Sequence, residues 1–438
     1  MSQSLHRLAR KAREEPRAQF TAIAHLLTEE VYYAAGRRLE KGASAGVDGV
    51  TAKAYAANLD ANLRALHVRV KAQRYRPQPV RRVYIPKEDG KQRPLGVPAL
   101  EDKLVQGAVR LVLDPIYEQA FLPCSLGFRP GRSPHQALAT LQQAITRQKV
   151  SHVLDSDIRG FFDNMDQGHL LRFVQHRVKD RSILRLLRLW LRAGVLEEGA
   201  IHRSPTGTPQ GGATSPLLAN IYLHYVLDRW AERRERKTLR GEMVLVRYAD
   251  DAIVGFQYAD DAERFRRALA GRLAQFGLEL SAAETRLLEF GRFAAERVAR
   301  RGKRPETFDF LGFTHICGRT RRGWFQVRRK TSKKRLRRFV TATVGWCKAN
   351  RHVPLPDQWR ILCGKLRGHY QYYGVVGNRN CLQAVYERVV RGWRQWLNRR
   401  SQRARMPWLR FTALLRRYPL PRPVLRPLSP VVAQGVLF

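Results

Sequence analysis

The chain has 438 residues, 44% of them hydrophobic, enough for two or three domains with a sizeable buried core, and this excludes a disordered polymer. Lys and Arg number 81 against 37 Asp and Glu, a net charge of +44. Such an excess repels itself unless a polyanion neutralises it, so nucleic acid is the expected partner; an anionic membrane competes, but no apolar run of transmembrane length supports it.

Five cysteines (Cys124, Cys317, Cys347, Cys363, Cys381) are odd in number, widely spaced and without a Cys-x-x-Cys pair. They suggest a reducing compartment, the cytoplasm by default, and neither structural zinc nor a disulfide framework. The charge is uneven: from Gly291 onward there are 35 Lys and Arg against 5 acids, so the last third carries most of the positive field.

The N-terminus carries Arg7, Arg10, Lys11 and Arg13 and reads as an amphipathic helix, and helical patterns continue to about residue 76. Residues 74–87 then read as an extended strand, 88–91 as a turn and 92–98 as a returning strand, a hairpin that places Lys87 near Arg93. Leu104, Val105, Ala108, Leu111, Val112 and Ile116 recur at helical spacing. Residues 127–134 form a turn-rich loop ahead of a helix; its Arg129 and Arg132 suit a nucleic-acid backbone or simple solvation.

Residues 151–166 begin as a strand and run into a turn, with Asp157 at the strand's end. Asp155, Asp163 and Asp166 read as turn and cap residues. Residues 206–216 are a Gly-rich loop feeding an apolar helix from Leu217 to Trp230, without the Lys-Ser/Thr ending of a P-loop. Residues 243–256 read as two apolar strands joined at Tyr248-Ala249-Asp250-Asp251. Adjacent carboxylates on a rigid hairpin raise one another's pKa, so this turn asks for a cation, which Asp157 on an adjoining strand could share.

Tyr-Ala-Asp-Asp recurs at 258–261, but there a helical pattern follows, and Asp260 or Asp261 reads as a helix cap. Strands are expected at 277–280 and 308–314, and the basic stretch 328–339, which holds Arg328, Arg329, Lys330, Lys333 and Lys334, is expected to start a helix. Around 365–374, with Lys365 and Arg367, and around 389–397, bases and aromatics interleave; the rings suit single-stranded or folded RNA, or equally a helical core. A Pro-rich tail from 419 to 430 is expected to hold little regular structure.

Seven motifs stand in one order: Ile85-Pro86-Lys87 with Arg93-Pro94-Leu95; Gly127-Phe128-Arg129-Pro130-Gly131-Arg132-Ser133; Asp157 with Phe161-Phe162-Asp163-Asn164; Thr208-Pro209-Gln210-Gly211-Gly212; Tyr248-Ala249-Asp250-Asp251; Phe308-Asp309-Phe310-Leu311-Gly312-Phe313-Thr314; and Gly368-His369-Tyr370-Gln371-Tyr372-Tyr373-Gly374. From about residue 46 to 423 the chain resembles the reverse transcriptases and maturases encoded by bacterial group II introns. The resemblance implies an α+β right-hand polymerase with fingers, a ferredoxin-like palm and an α-helical thumb. Residues 1–100 would be the N-terminal extension and fingers, 101–320 the palm with remaining fingers elements, 321–423 the thumb and maturase region, and 424–438 the tail.

It further implies that Asp157, Asp250 and the Ile158 carbonyl hold two Mg²⁺ ions, or Mn²⁺ in their place, with Asp251 beside them. Lys87 and Arg93 would hold the triphosphate, Gln210 would support the incoming nucleotide, and the ring of Phe162 would exclude a 2′-hydroxyl, so that dNTPs are used. An RNA template, a DNA or RNA primer and a group II intron RNA are the implied partners, and no membrane. Two departures stand out. Glu284 precedes Thr285 where the family usually places Lys, and nothing after about residue 423 resembles the family's endonuclease domain, as in the endonuclease-lacking group. The competing readings are an RNA-folding maturase with weak polymerase activity and a domesticated reverse transcriptase in DNA repair or phage defence.

Overall fold

The computed structural model describes residues 3–39, 42–86, 92–197, 200–202, 206–207, 211–401 and 405–428, with the Arg93 side chain outside the description. Eleven strands among these residues form three sheets. The first contains β1 (Val80–Pro86), β2 (Gln92–Val97), β4 (Val195–Glu197) and β5 (Ala200–His202) in the order β2-β1-β4-β5. The β1–β2 pair is the predicted hairpin, with Ile85 opposite Arg93, and β4 lies parallel to β1.

The central sheet is antiparallel and joins β3 (His152–Ser156), β6 (Met243–Tyr248), β7 (Asp251–Phe256) and β8 (Arg286–Glu289) in the order β6-β7-β3-β8. Its apolar runs are nearly continuous because both faces are covered. Leu154, Leu245, Ala252 and Val254 face a core shared with helices Leu100–Tyr117, Ser215–Leu223 and Ala259–Ala274. Val153, Val244, Val246 and Ile253 alternate to the other face, against helix Pro134–Arg147 and the third sheet. Burying each of these branched side chains contributes about 1.5–3 kcal/mol.

The third sheet is a meander of β9 (Phe308–Phe310), β10 (Phe313–Arg319) and β11 (Phe325–Thr331). Here the expected helix start is corrected. Arg328, Arg329 and Lys330 belong to β11, because Val327, Arg329 and Thr331 alternate inward, and the helix begins at Lys333. Residues 277–280 are not a strand either. Leu278 donates its N–H to the Leu273 carbonyl and Gly277 takes φ +71°, a glycine closure of the preceding helix, which leaves a single bridge between Leu280 and Ile158.

Helices Lys333–Ala349, Leu355–Tyr373, Arg379–Leu397 and Trp408–Arg417 share a separate core around the fully buried Trp393, whose indole N–H donates to Gln358 at 2.9 Å. Residues 421–428 are irregular apart from one bridge, Arg426 to Val375. The N-terminal helix Gln3–Glu14 buries Leu5, Leu8, Ala9 and Ala12 as its amphipathic pattern requires. No helix among the described residues is long and apolar enough to cross a membrane.

Candidate active site

Strands β6 and β7 are joined by a two-residue turn, Ala249-Asp250, flanked by the pair Tyr248 and Asp251. Ala249 takes φ +60°, the positive value that a tight hairpin demands at its first central residue and that alanine adopts only under support. Support comes from beneath. The Arg247 guanidinium is fully buried and donates to the Ala249 carbonyl at 2.6 Å, to both oxygens of Asp228, to Asn220 Oδ1 and to Ser125 Oγ. Asp228 closes a π-helical turn, His224–Asp228, that interrupts the helix begun at Ser215. From the other side Gly127 packs so closely that a Cβ there would lie 2.2 Å from the Ala249 nitrogen.

Because β3 pairs with β7 through Ser156 and Ala252, the next residue, Asp157, comes up beside Asp250 and Asp251 at the same end of the sheet. Its backbone carbonyl accepts from the Ser281 N–H at 2.8 Å, which brings in the turn carrying Glu284, and the Glu284 carboxyl hydrogen-bonds Asp157. Burial, then Glu284, then Asp251 and Asp250 push the Asp157 carboxyl up to about 7. Asp155 is corrected from a cap to a β3 residue, pushed up to about 7 by burial and then by Asp251. Asp166 does cap its helix, accepting the His169 N–H, while Asp163 sits in the short helix Phe161–Asn164.

Crowded carboxylates that retain protons are a donor set for a hard divalent cation, which would replace those protons. Among the described residues no three acid, His or Cys side chains converge tightly enough to enclose an ion by themselves. Ile158, whose carbonyl is the expected further ligand, is buried next to Asp157.

The remaining expected residues divide. Phe162 is half-buried, edge-on against Phe161 at 5.2 Å. Lys87 and Gln210 lie outside the described residues, as does the Arg93 side chain. The loop next to Gln210 is held by Gln106, which accepts the Ala213 N–H at 2.8 Å, and by Gly211, where a Cβ would strike the Gly96 carbonyl at 2.3 Å. Arg129 is corrected from a phosphate contact to a buried strut: it pairs with Glu118 at 2.9 Å and donates to the Leu122 and Ser125 carbonyls. Arg329 is likewise buried, donating to the Leu138 carbonyl and to Gln142.

Arg328, Lys330, Lys333, Lys334 and Arg367 are exposed, Arg132 is half-buried, and half-buried Lys365 lies over the Trp346 ring. The interleaved aromatics turn inward, with His369 stacked between Phe339 at 4.1 Å and Tyr373 at 4.7 Å. In the second Tyr-Ala-Asp-Asp the helix cap is Tyr258. Asp261, one turn in, instead accepts the Gly241 N–H and anchors the entry to β6. The Arg247–Asp228 pair was missed; its one sequence signal is an arginine set in an otherwise apolar strand beside the acid turn.

Residues 85–315 match the family described as "Reverse transcriptase (RNA-dependent DNA polymerase)". The chain is 32% identical over 367 residues to Protein YkfC of Escherichia coli K12, covering 78% of this chain and 95% of that one. It is 39% identical over 235 residues to the group II intron-encoded protein LtrA of Lactococcus lactis, covering 53% of this chain and 39% of LtrA. A shorter match, 30% over 90 residues, links it to nuclear intron maturase 1 of Arabidopsis thaliana mitochondria, covering 20% of this chain and 12% of that one.

Proposed function

We propose how this chain copies RNA from one premise: it belongs to the reverse transcriptase (RNA-dependent DNA polymerase) family, in the branch encoded by group II introns, whose work is polymerisation and splicing assistance. Asp157 and Asp250, with the Ile158 carbonyl, would hold a pair of Mg²⁺ ions, and Asp251 would supplement the negative charge around them. When bound, the ions would lower the pKa of the primer 3′-hydroxyl and neutralise charge on the departing pyrophosphate. Lys87 and Arg93 grip the triphosphate, where negative charge builds up in the transition state. Gln210 supports the incoming nucleotide from its glycine-flanked loop, and Phe162 occupies the space under the sugar, selecting dNTPs.

The observation that carries this reading is the gathering of Asp157, Asp250 and Asp251 at one end of the central sheet, with Asp157 raised to about 7 by burial and its acidic neighbours. Residues 1–100 act as an N-terminal extension and fingers, 101–320 as a ferredoxin-like palm with the remaining fingers elements, and 321–423 as a thumb and maturase region. The exposed Arg328, Lys330, Lys333, Lys334 and Arg367 supply that last region with an RNA-binding face.

Primer extension on an annealed RNA template with Mg²⁺, using dNTPs or rNTPs, tests the reading against Asp250→Ala. Long cDNA from dNTPs alone, lost in the variant, is the expected result. A second reading, an RNA-folding maturase with weak polymerisation, is favoured by one observation: Glu284 occupies the place of the family's usual Lys and bonds to Asp157. Tight, salt-sensitive RNA binding without extension would promote it.

A further inference from the structure

Arg110 stands on helix Leu100–Tyr117, outside the carboxylate cluster, and its guanidinium reaches three ways. One terminal nitrogen donates to the Ala213 carbonyl at 3.3 Å and the other to the Phe128 carbonyl at 3.2 Å. Its Nε lies 3.4 Å from an oxygen of Asp114, one turn further along the helix. Ala213 belongs to the loop that follows Gln210, and Phe128 to the turn-rich loop 127–134. Two loops far apart in the chain are therefore joined by one planar, multi-donor head, a geometry that lysine does not have.

Each end of this bridge is itself fixed. Gln106, one turn earlier on the same helix, accepts the Ala213 N–H at 2.8 Å, so the helix grips Ala213 by both its N–H and its carbonyl. At the other end Phe128 takes φ +59°, a left-handed conformation that costs a bulky residue about 1–3 kcal/mol and persists only where the surroundings impose it. Here Arg110 holds the Phe128 carbonyl, and Asn220 Nδ2 donates to the Gly127 carbonyl at 2.7 Å. Gly127 is the residue that presses on the Ala249 nitrogen, and Asn220 also accepts from Arg247, the strut beneath the same turn. A continuous run of hydrogen bonds thus leads from Ala213 through Arg110, the backbone at 127–128, Asn220 and Arg247 to the turn that carries Asp250.

We infer that Arg110 is a positioning residue for polymerisation: it ties the loop after Gln210 to the Asp250 turn, so that the incoming nucleotide and the acids that serve it keep one geometry. Reacting groups misplaced by about 1 Å lose on the order of a hundredfold in rate, so a tie between these two loops bears directly on the chemistry. The Arg110 side chain is 27% exposed, so its replacement opens no sealed cavity. The inference rests on the polymerase reading above for the roles of Gln210 and Asp250, and the two fail separately. Absence of extension by the wild-type protein would count against that reading, whereas the bridge is read by amide hydrogen exchange, which needs no activity.

The test uses the full-length chain with Arg110→Met, which keeps the stem and removes the fork, and Arg110→Lys, which keeps the charge and reaches one carbonyl at a time. In Arg110→Met, exchange is expected to quicken about tenfold in segments 125–130 and 211–218 together, with helix Lys333–Ala349 unchanged. In single-nucleotide extension the KM for dNTP should rise about tenfold and kcat fall, while the Kd of the template–primer duplex stays at its wild-type value. Arg110→Lys should fall between the two in exchange and in KM. With Gln210→Ala already in place, Arg110→Met should cost much less in kcat/KM than it does alone, because the loop then has no side chain left to position. Unchanged exchange in either segment, an unchanged KM, or strictly additive losses in that cycle would overturn the inference. So would full wild-type behaviour of Arg110→Lys, which would make charge sufficient, or a fall in duplex affinity matching the rise in KM, which would make Arg110 a general support of the fold.

Discussion

Arg247 and Asp228 form a fully buried ion pair, 2.6 Å between nitrogen and oxygen, directly under the turn that carries Asp250. All five guanidinium donors' directions are used by Asp228, Asn220, Ser125 and the Ala249 carbonyl, so the pair fixes a backbone conformation rather than merely filling space. Removing Arg247 alone strands a charge in a dry interior, and Arg247→Met is expected to cost about 3–5 kcal/mol in urea unfolding. Arg247→Met/Asp228→Leu should recover much of that stability but not the extension activity, because the Ala249 carbonyl stays unsupported. Recovery of both would show that the pair has no role in shaping the turn.

Gly127 presses on the same turn from above, with space for hydrogen only. Gly127→Ala is expected to lose about 1–3 kcal/mol through overpacking, and about a hundredfold in extension rate through displacement of Asp250. Gly271→Ala, inside a helix where an added methyl meets nothing within 4 Å, is the comparison and is expected to lose no stability. Equal losses of stability in the two variants would remove the argument.

Phe162 meets Phe161 edge-on and packs at the margin of the main core, half-buried, so truncating it should cost little stability and leave the fold intact. Phe162→Ala is expected to raise incorporation of rNTPs relative to dNTPs by about ten- to a hundredfold, the scale on which a pocket discriminates by shape. Selection between the sugars, measured as a ratio of kcat/KM values, would be unchanged if another group guards the 2′ position.

Asp102 is buried and accepts hydrogen bonds from the Tyr75 hydroxyl and the Gln78 N–H. Burial dominates these bonds and raises its carboxyl from the ordinary 3.8 to about 6. The folded protein thus holds a proton that the unfolded chain releases, and the stabilising contribution present below about pH 4 is lost as pH rises through about 6, worth at most about 3 kcal/mol. Asp102→Asn should therefore gain stability relative to wild type across that window in urea melts at stepped pH. A difference that stays constant with pH would contradict the assignment.

The elements that position the site were readable because each has a strong local period. The hairpin at 243–256, the strand before Asp157 and the helix at Leu100–Tyr117 all stand where the pattern of apolar residues puts them. What the sequence hid was the partner of each charge. Arg129 and Arg132 are alike on paper, yet Glu118 takes the first into the interior. Asp155 looked like a turn residue because its strand-mates Ile253 and Arg286 lie far away along the chain. Lys333 and Lys334 remained on the surface, as a polar helix face predicts, whereas Arg329 followed a period of two that its basic neighbours concealed.

The strand order of the central sheet bears on how the protein is made. β3, which ends just before Asp157, lies between β7 and β8, and both of those follow it in the chain, from Asp251 and Arg286. A nascent chain emerging from the ribosome exposes this apolar strand, with both edges unpaired, through the whole synthesis of the intervening helices. The carboxylate cluster therefore comes into being late, in the step that closes the sheet. Until then the newborn chain carries its basic surface without the assembled acids of Asp157, Asp250 and Asp251.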